Sequence, residues 1–599
     1  MCGIVGYIGA RQAQSVLIDS LKRLEYRGYD SAGIAVVPPG QKKMQVHKKK
    51  GMIKNLEDNL PALNGTLGIS HTRWATHGPP SDSNAHPHVD CKGNIAIVHN
   101  GIIENYLELK ESLINEGHVF TSETDTEVLA HLIEKYYTND LYKAMKLALE
   151  QVQGSYAILA LHMHERDRLV SARNESPLVL GLGIDENFIA SDVPAVLKYT
   201  DKVVYLDNGE IADVTKSSIK ITDFNGKTIE RPWHKIEWSL EDAEKGGYEH
   251  FMLKEIFEQP RAVREAMLGK LSGFTLDNVN GIEFNSAKIL GCGTSYHAGL
   301  VGKYILESIM GLPTSIETSS EYRYNSTTLD QPLVILISQS GETADTLAAA
   351  REARRRGCKT IGITNVVGST LTREVDDVMF IRVGPEISVC ATKSFTGQII
   401  SLYLLASHLS RTRGFLKADE IREFSNALRQ QSRLVEQVLN NPEPIKECAN
   451  KLAKAENVFF IGRNINYPSA LEGALKLKEI SYIHAEGYQA GELKHGPLAL
   501  LMPQTPIVAI AVKDHTYDKM ISNIEEVTAR DSPVIAIGHE SDTELEKYVD
   551  TVLRIPDVPP LFTPVPVAVV LQLLAYYTAR NRGCPIDKPR NLAKSVTVE

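Results

Sequence analysis

Short apolar runs bounded by Gly, Pro or polar residues punctuate the first part of the chain, at Gly3–Ile8, Ala32–Val37, Ile95–Val98 and Tyr156–Leu161. Runs of this length and flanking read as strands. Between them the spacing turns helical over Gln14–Leu24 and Thr126–Tyr137, where Val128, Leu129, Leu132 and Ile133 share one face. Strands and helices mixed this way predict an α+β domain with stacked sheets. Beyond residue 285 the rhythm changes: apolar runs alternate with helical stretches such as Ala344–Arg356 and Ile521–Ala529. Strands that are apolar on both faces and separated by helices predict a parallel, doubly wound α/β sheet.

That second rhythm occurs twice. Ala287–Gly293 parallels Asn457–Arg463, Pro332–Ile337 parallels Thr505–Ile510, and Thr360–Thr364 parallels Val534–Gly538. Gly291 and Gly462 stand 171 residues apart, so a duplicated domain is the economical inference. Between the two parts, Asp223 to about Gly281 is charged and helical in pattern, ending in the amphipathic stretch Tyr248–Ile256.

Length and charge narrow the partners. At 599 residues the chain is too long for one core. A net charge of −9 argues against nucleic acid, and Lys48-Lys49-Lys50 reads as a solvated turn. Seven scattered cysteines without a C-x-x-C pair suit a reducing compartment and no zinc ribbon, so a cytoplasmic setting is expected. The longest apolar stretch, Val565–Tyr577, is interrupted by Gln572 and reads as too short to span a bilayer.

The candidate chemistry begins at Met1-Cys2-Gly3-Ile4-Val5-Gly6. If Met1 is trimmed, the Cys2 α-amine, with a pKa of roughly 7.7 to 8.0, can take the proton from its own thiol. A small buried cysteine in an edge strand is the plain alternative. Four polar clusters stand at strand ends: Arg27–Gly33, His71–Gly78, His99-Asn100-Gly101 and Ser122–Thr126. Singly each has an ordinary reading: Asn100-Gly101 as a hairpin turn, Arg73 as a surface cation, and His77, His86 and His88 as metal ligands. No second-shell carboxylate pattern supports the last, and no metal is expected. Later, Ser338-Gln339-Ser340-Gly341-Glu342-Thr343 follows a strand and precedes a helix, where hydroxyls and backbone N–H groups make a phosphate cradle. Gly291–Ser295 is a second such turn. Glu472, Lys476 and Glu479 share one helix face, as an ion-paired surface helix also would.

Together M-C-G-I, R-G-Y-D-S-A-G, H-T-R-W-A-T-H-G and H-N-G-I-I-E-N resemble the class II, N-terminal nucleophile, glutamine amidotransferases. The S-x-S-G-x-T turn resembles the sugar isomerase (SIS) domain. A glutaminase followed by two SIS domains, with the tail Lys588–Glu599, resembles the isomerising glutamine:fructose-6-phosphate aminotransferases over the whole length.

The resemblance implies an N-terminal nucleophile glutaminase with stacked antiparallel sheets at 1–225, a linker and helical connection at 226–284, and SIS domains at 285–424 and 457–585. A helical connection at 425–456 and an active-site tail at 586–599 complete the plan. It implies Cys2 as nucleophile, Asn100 and Gly101 as oxyanion hole, and a glutamine pocket of Arg73, Thr76, His77 and Asp125. Trp74 would close the ammonia exit. Fructose 6-phosphate would be held by Thr294, Ser338, Gln339, Ser340, Thr343 and Lys476. His495, contributed by a neighbouring subunit, would assist ring opening, Lys594 would form an imine at C2, and Glu479 would move the proton. Many relatives have Ser where this chain has Ala391, so a hydroxyl contact there is lost. The implied reaction makes glucosamine 6-phosphate and glutamate, the entry to amino sugars, in a homodimer without cofactor, metal, nucleic acid or membrane.

Overall fold

A computed structural model of the chain describes residues 2–236, 245–271, 274–325 and 331–597. It divides into two compact units, Met1–Ala243 with Ala593–Glu599, and Glu244–Leu592.

The first unit is built on two antiparallel sheets. One runs in the order His234–Lys235, Lys202–Tyr205, Val179–Leu182, Asn187–Ala190, Gly3–Ile8, Leu67–Arg73, Ser31–Val36, Gln45–Lys50. The other runs Thr228–Ile229, Ile219–Asp223, Glu210–Val214, Leu169–Asn174, Gly154–His162, Ile95–Ile103, His88–Val89. Their inner faces meet through Ile4, Ile8, Ala35 and Ile69 on one side and Ala96, Val98, Leu159 and Leu161 on the other. The outer face of the second sheet carries Ile95, Ile97, Ile158 and Ala160 beneath the helices Glu127–Tyr136 and Leu141–Leu149. Helix Ala13–Lys22 covers the other sheet. With both faces of each central strand covered, its apolar residues run on without alternation, as in Gly3–Ile8, buried throughout.

Three sequence expectations change here. Asn100-Gly101 is not a hairpin turn: the strand continues to Ile103, paired with Gly154–His162 throughout. Lys48–Lys50 is not a solvated turn but the end of an edge strand, with Lys49 paired to Asp82 at 2.9 Å and Lys48 Nζ donating to the Ser83 carbonyl. The region from 226, read as charged and helical, opens with two short strands. Its central part, 237–244, lies outside the described residues.

The second unit holds two parallel five-stranded sheets of the same topology. In the first the order is Thr314–Thr318, Ala287–Gly291, Leu333–Ile337, Thr360–Thr364, Asp377–Phe380; in the second it is His484–Gln489, Asn457–Gly462, Ile507–Ile510, Val534–His539, Thr551–Ile555. Every pairing is parallel. The duplication read from the sequence is therefore a duplication of fold, with the switch point beside the second strand of each order. One continuous core joins both sheets through helices Lys393–Arg413, Tyr467–Ser481 and Pro564–Asn581. The last corrects an expectation: it extends well past Val565–Tyr577 and is long and apolar enough to cross a bilayer, but 94% of its apolar window is buried inside the protein.

Candidate functional site

Strand Gly3–Ile8 pairs with Leu67–Arg73 so that Gly3 lies opposite Thr72, which brings Cys2 to Arg73-Trp74. The Trp74 N–H donates to Cys2 Sγ at 3.3 Å, and the thiol lies 3.5 Å from the Trp74 carbonyl. Burial pushes the Cys2 thiol up, while the Trp74 N–H and the Arg73 guanidinium pull it down. Met1 lies outside the described residues.

Asn100 Nδ2 donates to the Cys2 carbonyl at 3.0 Å. Behind it His71 Nε2 lies 3.0 Å from Asn100 Oδ1 and 3.1 Å from the His99 carbonyl. Both partners are acceptors, so Nε2 carries the proton, and this fixes the amide with its NH2 toward Cys2. Burial lowers the His71 pKa to about 3, keeping the ring neutral. Gly101 has φ of +129°, and a Cβ there would stand 2.0 Å from the Ser155 carbonyl oxygen. Only glycine lets the strand pass this point.

Arg73 is buried. Its Nη2 donates to the carbonyls of His77 and Gly78, and its buried Nη1 has no hydrogen-bond partner among the described residues. Asp125, also buried, accepts the Ile103 N–H at 2.9 Å, and its other oxygen is 4.0 Å from His77 Nδ1. Arg73 is thus no surface cation. Thr76 is exposed and Trp74 half-buried. His86 and His88 do not present ligand atoms to a common point with His77: His71 stacks on His86 at 4.2 Å, His88 meets His86 edge-on at 4.8 Å, and Thr124 Oγ1 lies 2.9 Å from His88 Nε2. Arg27 is structural, donating to the Ser191 carbonyl at 2.9 Å. Two organising residues escaped the sequence reading. His71 orients Asn100, and Asp30 holds the segment after Arg73 by accepting the Ala75 N–H at 2.8 Å. Both stood inside quoted motifs, but nothing in the sequence showed which way their side chains bond.

In the second unit the adjacent parallel strands Ala287–Gly291 and Leu333–Ile337 carry the two Ser/Thr-rich turns at their carboxyl ends, flanking the switch point. Ser338 Oγ lies 3.0 Å from Thr343 Oγ1 and accepts the Gly341 N–H at 3.1 Å; Ser340 Oγ accepts the Glu342 N–H at 3.2 Å. Gly341, at φ +64°, would drive a Cβ to 2.1 Å from Ser369 Oγ. Glu342 turns away to accept the Thr370 N–H and hydroxyl, both at 2.7 Å. The turn leads directly into helix Ala344–Arg355.

The helix Tyr467–Ser481 is not a surface helix. Glu472 and Lys476 are each 1% exposed. Lys476 Nζ lies 2.7 Å from Glu479 Oε2, 3.4 Å from Glu472 Oε1 and 3.0 Å from Thr294 Oγ1. Two further residues join that the sequence did not single out: His297 Nδ1 is 2.7 Å from Glu472 Oε2, and Cys390 Sγ donates to Glu479 Oε2 at 2.9 Å. Burial alone would lower the Lys476 pKa; Cys390, Glu472 and Glu479 outweigh it and hold the ammonium well above its ordinary range. Thr294 and Lys476 are thus recorded on the carboxylates Glu472 and Glu479, not on the hydroxyls of the Ser338–Thr343 turn.

The comparisons with known proteins follow this division. Residues 71–198 match the glutamine amidotransferase domain family, and 283–408 and 451–582 each match the SIS domain. The whole chain is 53% identical to the glutamine–fructose-6-phosphate aminotransferase [isomerizing] of Methanosarcina acetivorans, with all of both chains covered. The chain belongs to the isomerising glutamine–fructose-6-phosphate aminotransferase family. Its relative of the same name in Caldanaerobacter subterraneus is 50% identical, again over the full length of both. Among solved structures, the C-terminal domain of glucosamine-fructose-6-phosphate aminotransferase from Francisella tularensis matches with a TM-score of 0.56 and 38% identity, covering 58% of this chain and 99% of that one.

Within this family member, two further expected site residues lie on other elements. His495 closes the short helix Ala490–His495 and is exposed. Lys594 is half-buried in the terminal segment that belongs to the first unit.

Proposed function

We propose that this protein converts fructose 6-phosphate and glutamine into glucosamine 6-phosphate and glutamate. One observation carries the reading: the same chain holds a thiol faced by a fixed amide donor and a buried carboxylate–ammonium cluster on a Ser/Thr-rich parallel-sheet switch point.

In the first half-reaction Cys2 attacks the glutamine side-chain carbonyl, and Asn100 Nδ2 with the Gly101 N–H receives the oxyanion. Arg73 Nη1, without a hydrogen-bond partner among the described residues, supports a carboxylate partner, here the substrate α-carboxylate. Asp125 takes the α-ammonium, with Thr76 and His77 at the pocket edge. Collapse of the tetrahedral adduct expels ammonia, Trp74 screens its exit, and water releases glutamate from the thioester.

In the second, Ser338, Gln339, Ser340 and Thr343 hold the sugar phosphate, and His495 of a neighbouring subunit opens the ring. Its exposure supports a homodimer. Lys594 forms the C2 imine, ammonia displaces the lysine, and Glu479 carries the proton between C1 and C2. Lys476, engaged on both carboxylates, positions Glu479 more than it reads phosphate. Thr294 bridges Lys476 and Glu472 at the same end. All seven cysteines are free, which supports a cytoplasmic setting.

Incubation with glutamine and fructose 6-phosphate should yield glutamate and hexosamine phosphate together; formation of neither removes the proposal. Cys2→Ala should abolish glutamine-dependent synthesis and spare isomerisation of fructose 6-phosphate. Glutaminase activity retained in that variant, or Met1 retained in active protein, would show the nucleophile to be misassigned.

A further inference from the structure

Away from both clusters, four metal-ligand side chains from three separate segments converge in the first unit. Cys91 lies in the turn between strands His88–Val89 and Ile95–Ile103, His118 follows helix Tyr106–Asn115, and His131 and Glu134 stand three residues apart on helix Glu127–Tyr136. One ligand atom from each lies within 4.8 Å of all the others.

We propose that these four residues bind a zinc ion as a closed structural site. Tetrahedral zinc with bonds of roughly 2.0 to 2.3 Å has ligand-to-ligand edges of roughly 3.3 to 3.7 Å. Here Cys91 Sγ is 3.7 Å from His118 Nδ1 and 3.5 Å from His131 Nδ1, while Glu134 Oε2 is 3.2 Å from His118 Nδ1 and 3.5 Å from His131 Nδ1. Hydrogen bonds among these groups explain single edges. They do not explain why a thiol and a carboxylate both face the same nitrogen of each ring.

The surroundings fit an ion as well. Metal-bound imidazoles usually direct the other ring nitrogen at a carboxylate. His131 Nε2 is buried, makes no hydrogen bond among the described residues, and stands 3.8 Å from Glu127 Oε1. Glu127 is itself fixed by the Thr121 and Ser122 N–H groups and hydroxyls. The Val119 N–H points at Cys91 Sγ at 3.5 Å, as donors do toward a thiolate. With thiolate, two imidazoles and a carboxylate, the set suits zinc over the all-oxygen preference of magnesium or calcium. No sequence spacing reveals it, because the ligands come from a turn, a loop and a helix. His118 and His131 bracket Asp125, so the ion would clamp the segment that carries it.

The test uses the full-length protein, stripped with chelator and titrated with Zn2+ against a chromophoric competitor, with Co2+ as the spectroscopic probe. One equivalent should bind, and Co2+ should give tetrahedral d–d bands with a sulfur-to-metal charge-transfer band. Cys91→Ser and His118→Ala should each weaken Zn2+ binding at least tenfold and remove the charge-transfer band, whereas Cys584→Ser should change neither. Substoichiometric binding, or equal affinity in wild type and Cys91→Ser, overturns the site. Unchanged circular dichroism of both variants keeps misfolding from standing in for ligand loss.

Discussion

Asn100→Ala separates the two half-reactions. The side chain it removes donates Nδ2 to the Cys2 carbonyl at 3.0 Å and takes the His71 Nε2 proton on Oδ1. Loss of one oxyanion donor costs about 2.7 to 4 kcal/mol of transition-state stabilisation, a fall of roughly a hundredfold to a thousandfold in kcat. The ground state suffers less. The glutamine α-carboxylate and α-ammonium are assigned to Arg73 and Asp125, neither of which bonds to Asn100, so KM should stay within about threefold. Folding should tolerate the change, because His71 Nε2 keeps the His99 carbonyl at 3.1 Å; the unsatisfied Cys2 carbonyl costs about 1 to 3 kcal/mol. Steady-state glutamate release gives kcat and KM, and fructose 6-phosphate isomerisation should proceed at the wild-type rate. A folded Asn100→Ala enzyme with glutaminase kcat within threefold of wild type would refute the oxyanion assignment.

Lys476→Met leaves Glu472 and Glu479 facing each other without the ammonium, and breaking a buried ion pair in this way costs about 3 to 5 kcal/mol. The urea midpoint of the second unit should fall sharply and sugar turnover should vanish; a stability loss under about 1 kcal/mol would return the cluster to the status of a surface pair. For pH, His71 has a folded pKa of about 3 against an ordinary 6.5, so the unfolded chain takes the proton first. Its contribution is complete above pH 6.5 and is lost as pH falls toward 3, about 2 kcal/mol being gone by pH 5. His71→Gln should therefore flatten the dependence of stability on pH between 7 and 5; an unchanged slope in urea titrations contradicts a buried neutral ring.

Local pattern carried much of the fold. Apolar runs located the strands, and their repetition located two parallel sheets of one topology. What it missed was long-range. Strand Ile95–Ile103 passes through Asn-Gly because its partner Gly154–His162 imposes the pairing, and no local signal for Asn-Gly competes with a full ladder. Helix Tyr467–Ser481 shows charges at helical spacing, which on sequence grounds is a solvated face; only the fold brings Thr294 and His297, 178 and 175 residues from Glu472, and Cys390 against it. For the site, motifs named Cys2, Asn100, Arg73 and Asp125, since these touch substrate in the proposed chemistry. His71 and Asp30 act through backbone and amide atoms, and such roles leave no spacing to read.

The duplication sharpens which copy is read as the phosphate cradle. Both copies place a loop after the third strand in sequence and before a helix, so topology alone makes them equivalent. In the first copy that loop is Ser338–Thr343, whose hydroxyls bond to each other and to its own N–H groups, and whose carboxylate Glu342 is drawn off to Thr370. The second copy has Asp514 before helix Tyr517–Thr528, and its carboxylate accepts the Thr516 N–H and hydroxyl, both at 2.7 Å. A turn whose own carboxylate is fixed at the helix N-terminus repels a phosphate dianion; one lined by neutral hydroxyls, with its own Glu342 drawn off to Thr370, repels it less. The proposed phosphate site therefore belongs to the first copy, and the difference from the second rests on where Glu342 and Asp514 direct their charge.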